Sequence, residues 1–464
     1  MNAIVFSALW GVVLMFVGAF VKNRASVKYI AVAGAVLGLV LSGMELYSGL
    51  PLFDIDKSNM LRTGNFSLTF ICIVYICTLV LFLLNGKDFE KIGNHTAEYF
   101  ALIFFVLCGV SLCATFDTLL LLFLGIEIMS IPLYILTGSD KLNLKSNEAS
   151  LKYFLMGAFS TGLLLMGIAF IYGANSNGSF YLEHIQPGKE HLSVMMTVGI
   201  VFLIVALGFK VSAAPFHFWT PDVYDGAPTV ITSFMATIVK IGGFIAFIRL
   251  FEGSFGAIQK DWQILIVILT VLTLLIGNIT AIFQQSVKRM LAYSSIAQAG
   301  FMLLAIFALN GPAKEGLLIY SAAYSLATIG IFSILIKLND YTIDGFNGLA
   351  RKEPLVAFAG ALFLFSLTGI PLTAGFTAKF YVLLAALQNG HYQWLVVVAV
   401  LFAATSAYYY FRVIQAMYFK EPAENRVFTD EKIPATFKFM LLVTCALILI
   451  IGAYPEIIIG WLYH

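Results

Sequence analysis

The stretch TLLLLFLGIEIMSIPLYIL, residues 118–136, is apolar enough to cross a membrane, yet Glu127 stands near its centre. Glu127 is the only charged residue between Asp117 and Asp140. A helix of about 20 residues is close to 30 Å long, which matches the hydrocarbon core of a bilayer. The stretch therefore predicts a membrane-spanning helix with one ionisable group at membrane depth.

Apolar runs of similar length recur along the whole chain. Of its 464 residues, 60% are hydrophobic and 11% are charged, and about fourteen such runs lie between residues 4 and 460. Because lipid offers no hydrogen-bond partners to the backbone, such runs must be helices. We predict an all-α polytopic membrane protein with about 14 transmembrane helices and no soluble domain. The net charge of +2 gives no indication of a nucleic-acid partner.

The distribution of basic residues predicts the orientation. Of 27 Lys and Arg residues, 18 lie in or beside the loops after odd-numbered spans and six in those after even-numbered spans. Positive charge collects on the cytoplasmic side of a membrane, so we expect both termini outside. The three remaining basic residues, Lys210, Lys240 and Lys379, fall inside predicted spans.

Two spans contain signals that interrupt a helix. One is ALGFKVSAAPFHFW (206–219), which we expect to break around Pro215, and the other is LTGIPLTAGFTAKFYVL (367–383), with Gly369, Pro371 and Gly375. Proline clashes with the carbonyl four residues back, which is that of Val211 in the first span and that of Leu367 in the second. A simple proline kink explains either break alone. Paired interruptions, each near a lysine, instead indicate an ion pathway.

Four isolated charges at membrane depth need an explanation. Lys379 is the only charge in the 58 residues between Glu353 and Arg412, and Glu127, Lys210 and Lys240 are similarly isolated. Each ionised group near mid-bilayer costs roughly 2.5–3.5 kcal/mol. Such a group either pairs with an opposite charge or gives up its proton, and Glu127 can neutralise only one lysine. The alternatives are a polar clasp at Glu127, a simple ion-pair partner at Lys210, and snorkelling lysines.

One arrangement accounts for all four groups: a line of titratable side chains connected by water. In it Glu127 pairs with Lys210, and Lys240 and Lys379 continue the relay. Lys210 comes just before its break and Lys379 just after the other. We therefore expect the helix dipole to stabilise positive charge at Lys210 and to disfavour it at Lys379.

Two segments carry weaker candidates for the same pathway. The candidates are His217, Asp222 and Tyr224 in residues 215–234 and Ser294, Ser295 and Gln298 in residues 285–301. The first segment is equally well explained as a turn with interfacial aromatic residues. The basic pair Lys288 and Arg289, which precedes the serines, is most simply explained as charge on the cytoplasmic face.

Motifs for cofactor chemistry do not stand out in the sequence. The five cysteines lie in apolar spans without metal or disulfide spacing, and the histidines lie mostly in loops or at span ends. We find no P-loop and no dinucleotide-binding fingerprint. We therefore expect no cofactor and no metal on this chain, and any driving redox chemistry to be carried out elsewhere.

Four motifs together resemble the antiporter-like membrane subunits of respiratory complex I. They are LGIEIMSIPLYIL (124–136), GFKVSAAPFHFWTPDVYDGAPT (208–229), KRMLAYSSIAQAGF (288–301) and GIPLTAGFTAKFYVL (369–383). The resemblance covers essentially the whole chain and is closest to the group designated subunit N of bacterial NADH-quinone oxidoreductase. Where relatives often carry histidine after the Ser-Ser pair, this chain has Gln298, which speaks against a proton relay through that position.

The resemblance implies a fold and a function. It implies two inverted five-helix repeats, about 97–250 and 263–419, each with a discontinuous helix, after three helices in 1–92 and before a last helix in 437–460. It implies proton transfer by Glu127, Lys210, Lys240 and Lys379 in a subunit of a translocase that itself carries no redox centre. NADH and quinone would be used by the complex, the other membrane subunits would be partners, and the location would be a bacterial inner membrane.

Two other functions remain open from the sequence. One is a component of a cation/proton antiporter, although sodium sites usually need several carboxylates or carbonyls. The other is a membrane subunit of a hydrogenase-type complex. The isolated lysines argue against a passive scaffold, but they do not distinguish such a complex from complex I.

Overall fold

A computed structural model describes residues 1–20, 24–175, 177–185, 192–421 and 433–463. Within these ranges the chain is helical, and its only β-pairs are isolated bridges. The helices are α1 (Asn2–Phe20), α2 (Arg24–Ser48), α3 (Asn65–Asn85), α4 (Thr96–Thr115), α5 (Leu119–Thr137), α6 (Leu144–Ala174), α7 (Val194–Lys210), α8 (Trp219–Gly226), α9 (Thr229–Phe234), α10 (Lys240–Phe255), α11 (Gln259–Ile282), α12 (Val287–Ala308), α13 (Gly311–Leu335), α14 (Leu349–Lys352), α15 (Pro354–Thr368), α16 (Ala374–Gln388), α17 (Gln393–Phe419), α18 (Ala435–Ala453) and α19 (Glu456–Leu462). The predicted all-α class is confirmed.

The helices account for the fourteen predicted crossings. Eleven helical stretches in the described residues are long and apolar enough to span a membrane. One of them, Thr229–Ile282, has 54 residues, which is too long for one crossing and divides into α9–α10 and α11. The two broken pairs, α7 with α8 and α15 with α16, supply the remaining crossings.

Burial separates central helices from peripheral ones. The apolar windows of α12 and α13 are 94% and 100% buried, whereas those of α1, α17 and α18 are only 28–33% buried. α13 packs against α3, α15 and α16, and α12 packs against α11 and α16. The centre of the molecule is therefore built around α12 and α13, and the outer helices turn apolar faces toward lipid or other proteins.

Side-chain caps fix where several helices begin. Thr118 accepts a hydrogen bond from the backbone N–H of Leu121 at the start of α5, and Ser193 accepts one from Met196 at the start of α7. Ser286 caps α12 in the same way. Because the first N–H groups of a helix have no partner within it, these polar residues set the start of the helices that carry Glu127, Lys210 and Gln298.

Both predicted breaks are present. α7 ends at Lys210, and α8 begins at Trp219. α15 ends at Thr368, with Gly369 at φ +89°, a conformation that glycine adopts without the strain of a side chain. Gly375 does not belong to the break, contrary to expectation. It lies inside α16, where its backbone N–H donates to Ser366 Oγ (3.2 Å) and an added Cβ would collide with the Ser366 carbonyl.

A third irregularity, which the sequence did not predict, lies between α9 and α10. Residues Met235–Val239 form a π-helical turn immediately before Lys240. The hydroxyl of Tyr324 donates to the Ala236 carbonyl within this turn (2.8 Å). Such π-turns are frequent at functional sites because they release backbone groups from the regular ladder.

Candidate functional site

Glu127 lies on α5 and is held by a hydroxyl from the neighbouring helix α6. Thr161 Oγ1 donates to Glu127 Oε1 at 2.7 Å. Glu127 is half-buried, and Ile131 and Ile135 on the same helix have exposed fractions of 52% and 56%. The carboxylate therefore sits at the edge of the chain, next to an apolar outer face.

Lys210 is the last residue of α7 and is buried. Its Nζ donates to Ser130 Oγ at 2.8 Å, and Ser130 in turn donates to the Ile126 carbonyl at 2.6 Å. The expected ion pair between Glu127 and Lys210 is not formed directly. Each side chain is engaged by a hydroxyl, Thr161 for the acid and Ser130 for the base. The two groups are near neighbours through α5, which supplies both Glu127 and Ser130.

Lys240 is the most deeply buried of the three lysines, with 1% of its surface exposed. Its Nζ donates to both the carbonyl and the hydroxyl of Ser295, each at 2.9 Å, and lies 5.8 Å from the centre of the Tyr224 ring. The first residue of α10 therefore faces the Ser-Ser pair of α12, directly after the π-turn.

Lys379 reaches back from α16 to the end of α15. Its Nζ donates to the carbonyls of Leu367 (3.0 Å) and Thr368 (2.8 Å). The prediction that Pro371 frees the Leu367 carbonyl agrees with this geometry. The expected contrast in helix dipoles is wrong, because the ammonium of Lys379, like that of Lys210, lies at the partly negative C-terminal end of a helix.

At the first break the Val211 carbonyl is free among the described residues, as predicted, and two carbonyls at the end of α7 accept from new donors. Gly208 accepts from the N–H of Ala213 (2.8 Å), and Phe209 accepts from Ser212 N–H and from Trp219 Nε1 (3.2 Å). Within the described ranges, no donor reaches the Val211 carbonyl. The chain turns tightly after α7, and backbone N–H groups together with the Trp219 side chain satisfy the carbonyls of Gly208 and Phe209.

A network of hydroxyl and amide groups connects the surroundings of Lys240 with those of Lys379. Ser294, next to the partner of Lys240, shares a short hydrogen bond with the hydroxyl of Tyr410. Gln298 Nε2 donates to Tyr410 Oη (3.1 Å) and to the Leu367 carbonyl (2.9 Å), the same carbonyl that accepts from Lys379. Hydrogen bonds can thus be followed from the Ser-Ser pair to Lys379 through buried groups.

A small cavity lies beside this network. It has a volume of about 10 Å³ and is lined by Gln298, Tyr320, Tyr324 and Lys379 among others. The Tyr320 hydroxyl donates to Gln298 Oε1 by a short hydrogen bond. A space of this size with polar partners on several sides suits roughly one water molecule.

The network includes residues that the sequence did not single out. Tyr320 and Tyr410 are buried. Thr161 and Ser130 are the hydroxyl partners of Glu127 and Lys210. Tyrosine, serine and threonine are ordinary in membrane helices, so composition alone gives no signal. Tyr410 stands in the run YYY (408–410), and only the structure shows which hydroxyl points inward.

The weaker candidates separate into two groups. Tyr224, Ser294, Ser295 and Gln298 lie in or against the network. His217 is buried and stacks on Phe218, with ring centres 4.7 Å apart.

Asp222 instead belongs to an ion cluster at one membrane face. It pairs with Lys152 and with Arg289, each at 3.1 Å. It therefore ties α8 to α6 and α12, and its ion pairs are with these surface residues and not with the buried lysines.

A polar cavity opens at this same face. It has a volume of about 520 Å³, and Asp140, Asp225, Lys145 and Lys288 are among its lining residues. The interpretation of Lys288 as a plain surface charge is incomplete: it is 5% exposed and donates to the carbonyls of Asp225 (2.8 Å) and Ala227 (2.7 Å).

The described residues contain no group of three or more His, Cys, Asp or Glu side chains that could hold a metal ion. Lysines, a carboxylate and hydroxyls all accept and donate protons. Glu127, Lys210 and Lys240 each contact a hydroxyl, and Lys379 lines a small cavity together with Tyr320 and Tyr324. These groups are suited to proton exchange.

Fold and site define a class: polytopic helical membrane proteins with two interrupted helices and lysines buried next to the interruptions. Residues 117–405 match the family model described as NADH:quinone oxidoreductase/Mrp antiporter, transmembrane. NADH-quinone oxidoreductase subunit N of Trichlorobacter lovleyi is 39% identical, and the alignment covers 99% of this chain and 94% of that protein. Subunit N of Cytophaga hutchinsonii is 37% identical, with 99% of each chain covered.

A solved structure shows the same fold. One chain of respiratory complex I from Thermus thermophilus superposes with a TM-score of 0.84 at 31% identity, covering 99% of this chain and 98% of that one. The chain belongs to the NADH:quinone oxidoreductase/Mrp antiporter membrane family. The resemblance to the subunits designated N is confirmed.

Proposed function

We propose that this chain is a proton-translocating membrane subunit of an NADH-quinone oxidoreductase. Two relatives named NADH-quinone oxidoreductase subunit N align with this chain over 94% and 99% of their own lengths. Oxidation of NADH and reduction of quinone would take place in other subunits, and this chain would bind no cofactor of its own. Its neighbouring membrane subunits and the lipid bilayer would be its partners.

One observation carries the proposal: the buried lysines are joined to a hydrogen-bonded network and not to acidic partners. Lys240 contacts Ser295, Lys379 contacts the carbonyl of Leu367, and Gln298 donates to that same carbonyl. A buried ammonium without a carboxylate is costly, so these lysines gain from releasing their protons. Their position in a connected polar network gives the released protons somewhere to go.

The first pair would serve as the input of this relay. Lys210 and Glu127 are held apart by the hydroxyls of Ser130 and Thr161. A movement in the adjoining subunit that brings the acid and the base together would stabilise positive charge at Lys210, and their separation would remove that stabilisation. The change in charge would then act on Lys240 and, through it, on Lys379.

The organisation and location of the chain are part of the proposal. We infer two inverted repeats, about 97–250 and 263–419, since each contains one interrupted helix with a lysine at the interruption. The membrane would be the bacterial inner membrane, with both termini outside. The cavity beside Lys288 would be the cytoplasmic entry for protons.

The test is to replace Lys240 and Lys379 separately by methionine, which keeps length and volume but removes the titrating group. The assembled complex, reconstituted into vesicles, should lose at least about tenfold in its initial rate of NADH-driven proton uptake, consistent with the usual contribution of a positioned acid or base. Subunit composition should stay unchanged. Proton uptake at the wild-type rate in both variants would refute the proposal.

The matched control is Lys260→Met. Lys260 lies at the start of α11 and is exposed, so removal of its charge should leave proton uptake unchanged. A loss in this variant equal to that at Lys240 would mean that any lysine substitution harms the complex.

The sodium alternative is less well supported. Among the described groups of the proposed relay the only carboxylate is that of Glu127, whereas a sodium ion takes several oxygen ligands. Replacement of sodium by potassium in the vesicle assay should therefore leave the rate of NADH-driven proton uptake unchanged.

A further inference from the structure

A groove between α15 and α17 stands out on the outer surface, away from the proton-transfer network. It has a volume of about 620 Å³. Its floor includes Ala361 and Leu362, which are 6% and 8% exposed, and its rim includes Phe358 and Tyr408, which are more than half exposed. The rings of Phe365 and Phe411 meet in it with centres 5.7 Å apart. The groove is thus a largely apolar surface depression, closed at its floor and open on its outer side.

The length of the groove matches the thickness of the hydrocarbon region of one leaflet. Its lining on α17 runs from Tyr408 to Phe419, which is about 16 Å along a helix axis. Half of a hydrocarbon core is about 15 Å thick. The groove begins at the membrane face where α17 ends. Its other wall, α15, has 15 residues and ends at Thr368, so this wall is too short to cross the bilayer and the groove ends near its middle. A transmembrane helix of another subunit would need a groove that continues through both leaflets.

The end of the groove at the membrane face is polar and basic. A second pocket of about 390 Å³ shares Arg412 and Gln415 with the groove and also includes Lys420, Gln285 and Asp344. Two basic side chains thus face one acid. Lys420 lies 3.7 Å from Asp344, and both are exposed, so their attraction is weak.

Arg412 keeps donors available for a ligand. Nη1 donates to the Ile282 carbonyl at 2.6 Å, and Nη2 reaches Gln285 Oε1 at 3.5 Å. A guanidinium has five N–H donors in a planar fork that suits phosphate. The contact with Ile282, the last residue of α11, fixes the fork at the point where the apolar groove meets the polar pocket.

We propose that this groove and pocket form a binding site for a phospholipid with an anionic headgroup. One acyl chain would lie along the aromatic residues of α15 and α17, and the phosphate would contact Arg412 and Lys420. This inference is independent of the proton relay, since none of these residues belongs to the network around Lys240 and Lys379.

The test uses the assembled complex in phosphatidylcholine nanodiscs. The discs contain a small fraction of phosphatidylglycerol with a photoreactive diazirine in its acyl chain, or of phosphatidylcholine with the same chain. After irradiation, the labelled peptides of α15 and α17 are quantified by mass spectrometry. We expect labelling near Phe365 and Phe411, with a preference for phosphatidylglycerol of roughly fivefold for each basic residue engaged. Unlabelled phosphatidylglycerol should compete, and phosphatidylcholine should not.

Two kinds of variant separate the headgroup from the chain. Arg412→Gln combined with Lys420→Gln should reduce labelling by the phosphatidylglycerol probe to the level of the phosphatidylcholine probe. Ala361→Phe, which fills the floor, should reduce labelling by both probes. Lys420→Gln alone, at an exposed position, should still lower the preference if the double variant does not assemble.

The matched control is Arg351→Gln, an exposed arginine that pairs with Glu421 and does not line the groove. It should leave the labelling of α15 and α17 unchanged. Equal labelling of wild type by both probes would refute a site selective for anionic lipid. Absence of labelling in the groove, while other outer helices are labelled, would show that another subunit covers it and would also refute the proposal.

Discussion

Leu367 has no titrating group, yet its carbonyl accepts hydrogen bonds from both Gln298 and Lys379. A proline four residues later prevents the carbonyl from taking its usual helical donor. A backbone oxygen inside the membrane is costly without a partner, and the Leu367 carbonyl has two side-chain donors on different helices. A single proline thereby places the amide of α12 and the ammonium of α16 around one atom.

The hydroxyl of Tyr410 should be required for proton transfer between Lys240 and Lys379. We expect Tyr410→Phe, which removes only that hydroxyl, to slow NADH-driven proton uptake of the reconstituted complex by roughly fivefold or more, the equivalent of about 1 kcal/mol for a lost hydrogen bond. Assembly should be unaffected.

Tyr75→Phe is the matched control for this substitution. Tyr75 is equally buried, but its hydroxyl donates to the Ala3 carbonyl (3.5 Å), away from this network. Equal losses in the two variants would show that the Tyr410 hydroxyl stabilises the core and does not transfer protons.

For single residues, the sequence predicted where the buried ionisable groups lie better than it predicted their hydrogen-bond partners. Lone charges in long apolar runs are visible without a structure because their cost is large and their neighbours are apolar. Their partners are hydroxyls and carbonyls, such as Ser130 and the Leu367 carbonyl, and such groups occur on every helix. Which of them points inward depends on helix rotation, so the direct pairing of Glu127 with Lys210 was wrongly expected.

Among the helices, the interrupted pair α15 and α16 depends on close approach. Gly375 lies against Ser366, and no side chain fits there. We expect Gly375→Ala to push α16 away from α15 and to cost roughly 1–3 kcal/mol, the usual range for overpacking. Thermal unfolding of the purified complex should begin at a lower temperature, and proton uptake should fall because Lys379 leaves its carbonyl partners.

Gly43→Ala provides the comparison. Gly43 lies within α2 with open space around it, so alanine there should be neutral or slightly stabilising. A destabilisation at Gly43 as large as that at Gly375 would contradict the explanation by close approach.

Helices and breaks were predicted because apolar length, proline and glycine act locally. The π-turn at Met235–Val239 was not predicted, since no residue type in MATIV demands it. It follows from packing against α13, from which Tyr324 donates to the Ala236 carbonyl. Irregularities that tertiary contacts impose leave no local sequence signal.

Across the whole molecule, an ion pair ties the first three helices to the centre. Asp88, just after α3, is 3% exposed and accepts two hydrogen bonds from Lys337, just after α13 (2.8 and 2.6 Å). Asn85 also donates to Ser333 (2.7 Å). These contacts join residues 1–92 to the second half of the chain at one membrane face.

We expect Asp88→Asn to destabilise the protein toward the lower end of the roughly 3–5 kcal/mol typical of a broken buried pair, because Lys337 is partly exposed. The apparent melting temperature of the purified complex measures the effect. Glu421→Gln, which removes an exposed pair with Arg351, should change it far less. Equal decreases in melting temperature in the two variants would contradict the view that the buried pair is the more stabilising one.

The orientation can be tested because the native cysteines are all buried. A membrane-impermeant maleimide should label Lys260→Cys from the outside of the inner membrane. It should label Lys141→Cys only after that membrane is permeabilised. The reverse pattern would place the termini in the cytoplasm.

In the proposed relay, Gln298 would limit the back-flow of protons. An amide donates through nitrogen and accepts through oxygen, and at neutral pH it neither takes up nor loses a proton readily. With its nitrogen bound to Tyr410 and its oxygen to Tyr320, the side chain holds the hydroxyls in line but does not itself conduct. In the proposed relay, protons would therefore pass Gln298 only while a water molecule occupies the adjacent cavity.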